Sequence, residues 1–292
     1  MDSAIYFGKV YVIEWLGPGD AKTGWELFDE LQPIGLMSRP SVEVSFKRVR
    51  TRDEFIAYIR TIQDDFRVTK RLPLLHIEAH GFADGICSVA GDEVLWPELM
   101  QELIPLNRLT HLRLLVVLAA CEGIWGLQMA QPVGRAAFLA LLGPNRPISA
   151  THLASACQVF YRDIFKDRNG KAAFKAMNDV VDSTKPTFGI VNAEMLFKHV
   201  YHSFLLERCT EEALSKRVES IVAEQVKQFK AERGVGMWAH EVAQVRALAR
   251  HHAEAHDEHF EHYRREFFFI DLFPENDKRF PITIDDCREK AG

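Results

Sequence analysis

LLVVLAAC, residues 114–121, is the longest apolar run in the chain. Eight residues fall far short of the roughly 20 that a bilayer span needs. An unbroken run rich in Leu and Val instead suits a central parallel strand buried on both faces. A second stretch, LLHIEAHG (74–81), reads as a buried strand and ends in His80-Gly81 as the first run ends in Cys121. Two buried strands that both finish on a reactive side chain point to an open α/β sheet, in which sites form beyond the carboxyl ends of the strands.

The sequence around these strands agrees with that reading. KVYVIEWL (9–16) reads as a strand, followed by Gly17-Pro18-Gly19 and a helix with Trp25, Phe28 and Leu31 on one face. SVEVSFKRV (41–49) alternates as a strand with one buried face does, nearer the sheet edge. Thr51 and Glu54 form a capping box before a helix carrying Phe55, Ile59, Ile62 and Phe66 inward. Between the two decisive strands, Gly91-Asp92 splits CSVAGDEVLW into a small hairpin, and Pro97 opens a crossover helix with Leu99 and Leu103 inward. A helix at about 132–142 and a fifth strand near RPISATHLAS (146–155) are expected next. Lys185-Pro186-Thr187-Phe188-Gly189 reads as a breaker, and beyond it helices are expected at about 192–207, 210–231 and 237–266. The chain is thus predicted to be an α/β domain with an open, mostly parallel sheet flanked by helices over 1–190, and a helical extension over 191–292 that is regulatory or partner-binding.

Composition narrows the function classes. With 292 residues, 47% hydrophobic and 26% charged, the chain is globular in type. A net charge of -5 without a dense Lys/Arg run disfavours nucleic acid and membrane surfaces, leaving proteins or small molecules as partners. The amino terminus, MDSAIYFGKV, lacks the basic and apolar regions of a signal peptide, so the cytoplasm is the expected location. Five scattered cysteines, an odd number without a CxxC pair, imply neither a disulfide framework nor a zinc ribbon.

If the strands ending in His80 and Cys121 are parallel neighbours, the two side chains face one cleft. A free thiol, with an ordinary pKa of about 8.5, needs an imidazole that takes its proton to become a nucleophile at neutral pH. Backbone N–H groups at Gly81 and Cys121 are placed to meet a developing oxyanion. Glu122-Gly123-Ile124-Trp125-Gly126 follows as a loop at the cleft rim.

LLHIEAHGFADG and VVLAACEG resemble the His-Gly and Ala-Cys blocks of the caspase-like cysteine peptidases, and most closely those of the CHAT domains, relatives of caspases and separase. GDEVLWPELMQEL (91–103) is similar to the hairpin and helix between those blocks, RPISATHLAS to the next strand, and VFYRDIFKDRNGKAAFKAMND (159–179) to the helices after it. The resemblance spans about residues 70–182. It implies a caspase-like fold and a cysteine endopeptidase that cleaves a protein substrate through a thioester. Cys121 is then the nucleophile, His80 the general base and acid, and the Gly81 and Cys121 N–H groups the oxyanion hole, with no cofactor or metal. It also implies control by a partner or ligand, as in prokaryotic defence or cell-death pathways. Glu78-Ala79 and Ala119 depart from the small residues and the serine common at those places, and no third member of a triad is identifiable. Ala119 takes the position that helps line the pocket for the residue before the cleaved bond. A methyl offers no charge, so any charge preference is assigned to Glu14 or Asp84. Glu122 is grouped with this pocket, although fixing its loop is its simpler role. The alternative function is a catalytically silent caspase-like module that recruits partners through its helical extension.

Other signals are weaker. Glu78 and His76 share a strand side with His80, and Glu78 either orients His80 or is a satisfied polar group under the sheet. Cys87 and Cys157 with His76 and His80 have poor spacing for a metal. Asp167, Asn169 and Gly170 read as a surface turn, and GPGDAKTG (17–24) lacks the order of a phosphate-binding loop. Trp238, Val242, Val245, Ala249, His252, His256, His259 and Tyr263 form a heptad seam whose apolar half gives way to histidine, and six of the twelve histidines lie between His240 and His262. The histidines are solvated, share a metal with His199 and His202, or pair with another helix in a pH-sensitive way. Phe267, Phe268, Phe269 and Phe273 are expected to dock on the catalytic domain or on a partner.

Overall fold

A computed structural model describes residues 5–121, 134–182 and 184–288. The chain divides into two compact units, Met1–Ala130 with Arg135–Ala193, and Glu194–Gly292, with 131–134 grouped with the second. The first unit is α/β. Its sheet runs in the order β2 (Glu43–Arg48), β1 (Lys9–Trp15), β3 (Pro73–Phe82), β6 (Leu115–Ala119), β7 (Ala140–Pro144) and β8 (Phe188–Asn192). The first five are parallel and β8 is antiparallel. The far end of β3 leaves the parallel ladder and pairs antiparallel with β4 (Gly85–Cys87), which pairs with β5 (Glu93–Leu95).

One sheet face is covered by α1 (Thr23–Met37), α4 (Ala150–Asp167) and α5 (Gly170–Asp179). Leu27, Leu31, Cys157, Tyr161 and Met177 from these helices form one cluster with Val12, Leu74, Val117 and Leu142 from the strands. On the other face Trp15 stacks on Phe55 of α2 (Arg52–Thr69) at 5.3 Å, and α2 packs with α3 (Trp96–Leu109). Thr51 caps α2, its hydroxyl accepting from the Glu54 N–H, and Phe55, Ile59, Ile62 and Phe66 are buried. Trp25, expected on the buried face of α1, is exposed, and Leu27, Leu31 and Gly35 form that face instead.

Three expectations along the chain are corrected. The last parallel strand is Ala140–Pro144, overlapping the end of the stretch read as helix, because ladders to β6 and β8 override the helix preference of Ala and Leu. RPISATHLAS is instead the start of α4, where the Ser149 hydroxyl accepts from the His152 N–H. The breaker at 185–189 runs directly into β8, whose Phe188 pairs with Pro144.

The second unit is helical: α6 (Ala193–Arg208), α7 (Glu211–Arg233), α8 (Ala239–Glu254), α9 (His256–Phe267), α10 (Asn276–Arg279) and α11 (Ile284–Arg288). The segment expected as one helix over 237–266 is broken at Ala255, whose ψ of 60° leaves the helical region. The heptad seam therefore stops. Val242, Val245 and Ala249 pack on Leu214, Val218 and Val222 of α7, and Ala253, rather than His252, continues the seam. His252 is exposed, and its carbonyl accepts from His259 Nε2 at 2.8 Å across the break. Part of the packing of the Phe-rich terminus lies within this unit. Phe267 and Phe268 pack on Phe197 of α6, Phe268 stacks on Phe280 at 4.6 Å, and Phe269 lies against Phe273, all within this unit.

Candidate active site

The ladder between β3 and β6 runs at a constant offset of 41 residues, from Leu74 opposite Leu115 to Glu78 opposite Ala119. The ladder stops there: His80 pairs with Cys87 of β4, and Cys121 lies two residues beyond the end of β6. Because side chains alternate along a strand, His80 belongs to the sheet face that carries Glu78. Because β3 and β6 are neighbours, the segments that carry His80 and Cys121 leave adjacent strands at the carboxyl end of the sheet. His80 is 46% exposed along its side chain, and Cys121 is half-buried.

Gly81 fixes how closely the two strand ends approach. A Cβ there would overlap the Cys121 carbonyl oxygen and come within 2.9 Å of the Cys121 carbonyl carbon and 3.1 Å of its nitrogen. Any side chain would force the His80 and Cys121 segments apart.

The structure adds a residue that the sequence did not single out. His80 Nε2 lies 2.8 Å from Asp20 Oδ2, and the same oxygen accepts from the Gly17 N–H at 2.7 Å. The hydrogen bond from His80, and then the one from Gly17, hold the Asp20 carboxyl below its usual range. An ionised carboxylate only accepts, so Nε2 carries the proton and Nδ1 is left as the basic nitrogen. Asp20 is the only acid in the short loop that leaves the carboxyl end of β1, and that position is the one signal in the sequence that marks it.

One level below His80 lies a buried polar row. Glu14 pairs in register with Glu78, and Glu78 with Ala119. Glu14 is 1% exposed and takes Arg48 Nε at 2.5 Å and the Trp25 N–H at 3.0 Å. Glu78, 2% exposed, accepts from the Thr23 hydroxyl at 2.5 Å and meets His76 Nε2 at 3.0 Å. Glu78 thus bonds His76 and Thr23 and is the satisfied polar group under the sheet. Glu14 is committed to Arg48 and α1, and Ala119 is buried in the cluster with Cys157 and Tyr161, so neither presents an open wall to a ligand. Asp84 is exposed in the turn between β3 and β4, its carbonyl holding the Trp96 N–H at 2.9 Å. Glu122 and the rest of the loop after Cys121 lie outside the described residues.

A second thiol also neighbours His80. Cys87 is its register partner on β4, and directly opposed residues of an antiparallel pair project to the same side. Burial, and then the Glu93 carboxylate, push the Cys87 thiol up, which keeps it protonated. Cys157 lies under the sheet, fully buried, its thiol raised well above the usual range by burial and by Glu78.

Among the described residues no group of three His, Cys, Asp or Glu side chains is arranged to hold a metal ion. His202 instead has Nδ1 2.8 Å from the Cys287 carbonyl, to which it donates. No described helix is long and apolar enough to cross a membrane. No protein-family profile matches the chain, and no curated protein matches it either.

Proposed function

We propose that this chain is a caspase-like cysteine endopeptidase of CHAT type that acts through Cys121 and His80, with Asp20 orienting the histidine. The observation that supports the reading is the close approach of Gly81, next to His80, to the Cys121 backbone where the neighbouring strands β3 and β6 end. In the reaction His80 Nδ1 takes the thiol proton as Sγ attacks the peptide carbonyl. The tetrahedral oxyanion is met by the Gly81 and Cys121 N–H groups. Collapse breaks the C–N bond, and His80 returns its proton to the leaving amine. Water, deprotonated by His80, then hydrolyses the thioester and restores the thiol. Asp20 holds the imidazole in the tautomer that this sequence needs. The substrate is a protein, the compartment the cytoplasm, where a nucleophilic thiol stays reduced, and the helical extension is the place where a partner regulates activity.

The test is labelling with an electrophilic peptide ketone in the wild type and in Cys121→Ala, His80→Ala and Cys87→Ala. Adduct formation is expected to vanish with the first two changes and to persist with the third. A wild type that gains no Cys121-dependent adduct, even with its native partner present, sinks the enzyme reading and leaves the interaction module. Labelling lost with Cys87→Ala and kept with Cys121→Ala would reassign the nucleophile.

A further inference from the structure

Helix α1 begins without a cap of its own. The Lys22 side chain makes no capping bond, and the first-turn groups are taken up by the sheet: the Trp25 N–H by Glu14 and the Thr23 hydroxyl by Glu78. Two buried carboxylates thus serve the amino end of the helix, where the orphan N–H groups and the helix dipole favour negative charge. Gly24 sits between them. A Cβ there would lie 3.1 Å from Glu14 Oε2 and 3.2 Å from Glu78 Oε2, so the close approach relies on glycine.

The loop that carries Asp20 is therefore fastened at both ends. At one end it leaves β1 one residue after Glu14-Trp15, and at the other Thr23 is fixed to Glu78. Between them Asp20 reaches His80, which lies on β3 two residues after Glu78 and on the same face. We infer that Glu78, through Thr23, is the positioning residue that holds Asp20 against His80 Nε2, so that the buried carboxylate row sets the histidine tautomer without touching the reacting atoms. Glu78 and His80 thereby belong to one device: the strand that carries the base also carries the anchor for the acid that orients it.

The catalytic consequence rests on the proposed peptidase reading, so the test uses two readouts on the intact chain. Nitrogen chemical shifts of ¹⁵N-histidine-labelled protein report the His80 tautomer, assigned by its loss in His80→Ala. Iodoacetamide alkylation of Cys121, read by peptide mass spectrometry, reports nucleophilicity without any natural substrate. Thr23→Val is expected to abolish the Nε2–H preference as Asp20→Asn does, and to slow Cys121 alkylation about tenfold, as small misplacements of a reacting group do. Thr23→Ser is expected to restore both. Should Thr23→Val not fold, Gly24→Ala pushes the same turn off the two carboxylates and is expected to lose the tautomer preference. Thr23→Val or Gly24→Ala with the wild-type tautomer overturns the inference. If Cys121 in the wild type alkylates no faster than in His80→Ala, the peptidase reading falls, while the tautomer still decides the clamp.

Discussion

The sheet-bearing unit buries the charges that matter to its site, whereas the hairpin of α7 and α8 wears its charges outside. Glu14, Glu78 and His76 are all but inaccessible, and each carboxylate has two polar partners. On the hairpin, Arg246 makes a two-pronged contact with Glu219, and Arg250 binds Glu211 and Glu254, all in solvent, over an apolar seam of Leu214, Val218, Val222, Ala249 and Ala253. Buried ionised groups are expensive unless fully paired, so they admit few geometries and fix the elements around them. Exposed pairs are screened and contribute little, so the hairpin depends on its seam. In one unit charge sets geometry; in the other, geometry is set by apolar packing and charge decorates it.

The largest effect that would test this contrast is Gly81→Ala. The added methyl meets Cys121 backbone rather than a mobile side chain, and we expect a loss of about 3 kcal/mol together with Cys121 labelling, read by denaturant unfolding and peptide-ketone adducts. On the hairpin side, Val218→Ala removes a seam residue and is expected to cost about 2 kcal/mol. A cost near zero there would mean that the seam is not what holds the hairpin. Tyr161→Phe sharpens the comparison from the opposite direction. Among the described residues the Tyr161 hydroxyl, fully buried beside His76, has no hydrogen-bond partner. Removing it is expected to leave stability unchanged or raise it by about 1 kcal/mol, since an unsatisfied buried hydroxyl is a cost. A clear destabilisation would show that the polar cluster under the sheet includes that hydroxyl.

Titration separates the Asp20 pair from ordinary surface charge. Its carboxyl is lowered in the folded chain, so the stability it contributes is fully present above the usual carboxylate pKa of about 3.9 and is lost as pH falls through the depressed value. Asp20→Asn is expected to be less stable than the wild type at pH 6, with the gap closing on acidification below the ordinary carboxylate range. A gap independent of pH would mean that the His80 contact contributes nothing to stability. The smallest effect is expected from Arg246→Ala, at the edge of detection in thermal unfolding and weaker still in high salt.

The strands β1, β2, β3 and β6 were legible in the sequence because each carries its own pattern: alternation in β2, a short apolar-rich stretch ending in His80-Gly81 in β3, an unbroken apolar run in β6. The buried face of α2 was legible for the same reason, since Phe55, Ile59, Ile62 and Phe66 repeat at helical spacing. Strand β7 was not, because Ala and Leu fit a helix equally well until two neighbouring strands claim their backbone groups. The break at Ala255 was hidden behind a continuous heptad, and the Phe-rich terminus showed that it must be buried but not against what. At the site, His80, Gly81 and Cys121 stood out as chemistry-bearing residues at strand ends, whereas Asp20 did not, being 60 residues from His80 along the chain.

The sequence by itself determined the α/β class of the first unit, the helical character of the second and the two strands that end in imidazole and thiol. These follow from local periodicity, which each segment carries whatever its neighbours do. Only the tertiary structure decided the partners. It set the 41-residue offset between β3 and β6, seated Gly81 against the Cys121 backbone, placed Cys87 beside His80, returned Asp20 to Nε2, and committed Glu14 and Glu78 to the start of α1. Register and pairing are settled by loop closure and by the cost of leaving buried polar groups unmatched, and both are properties of the packed chain rather than of any stretch of it.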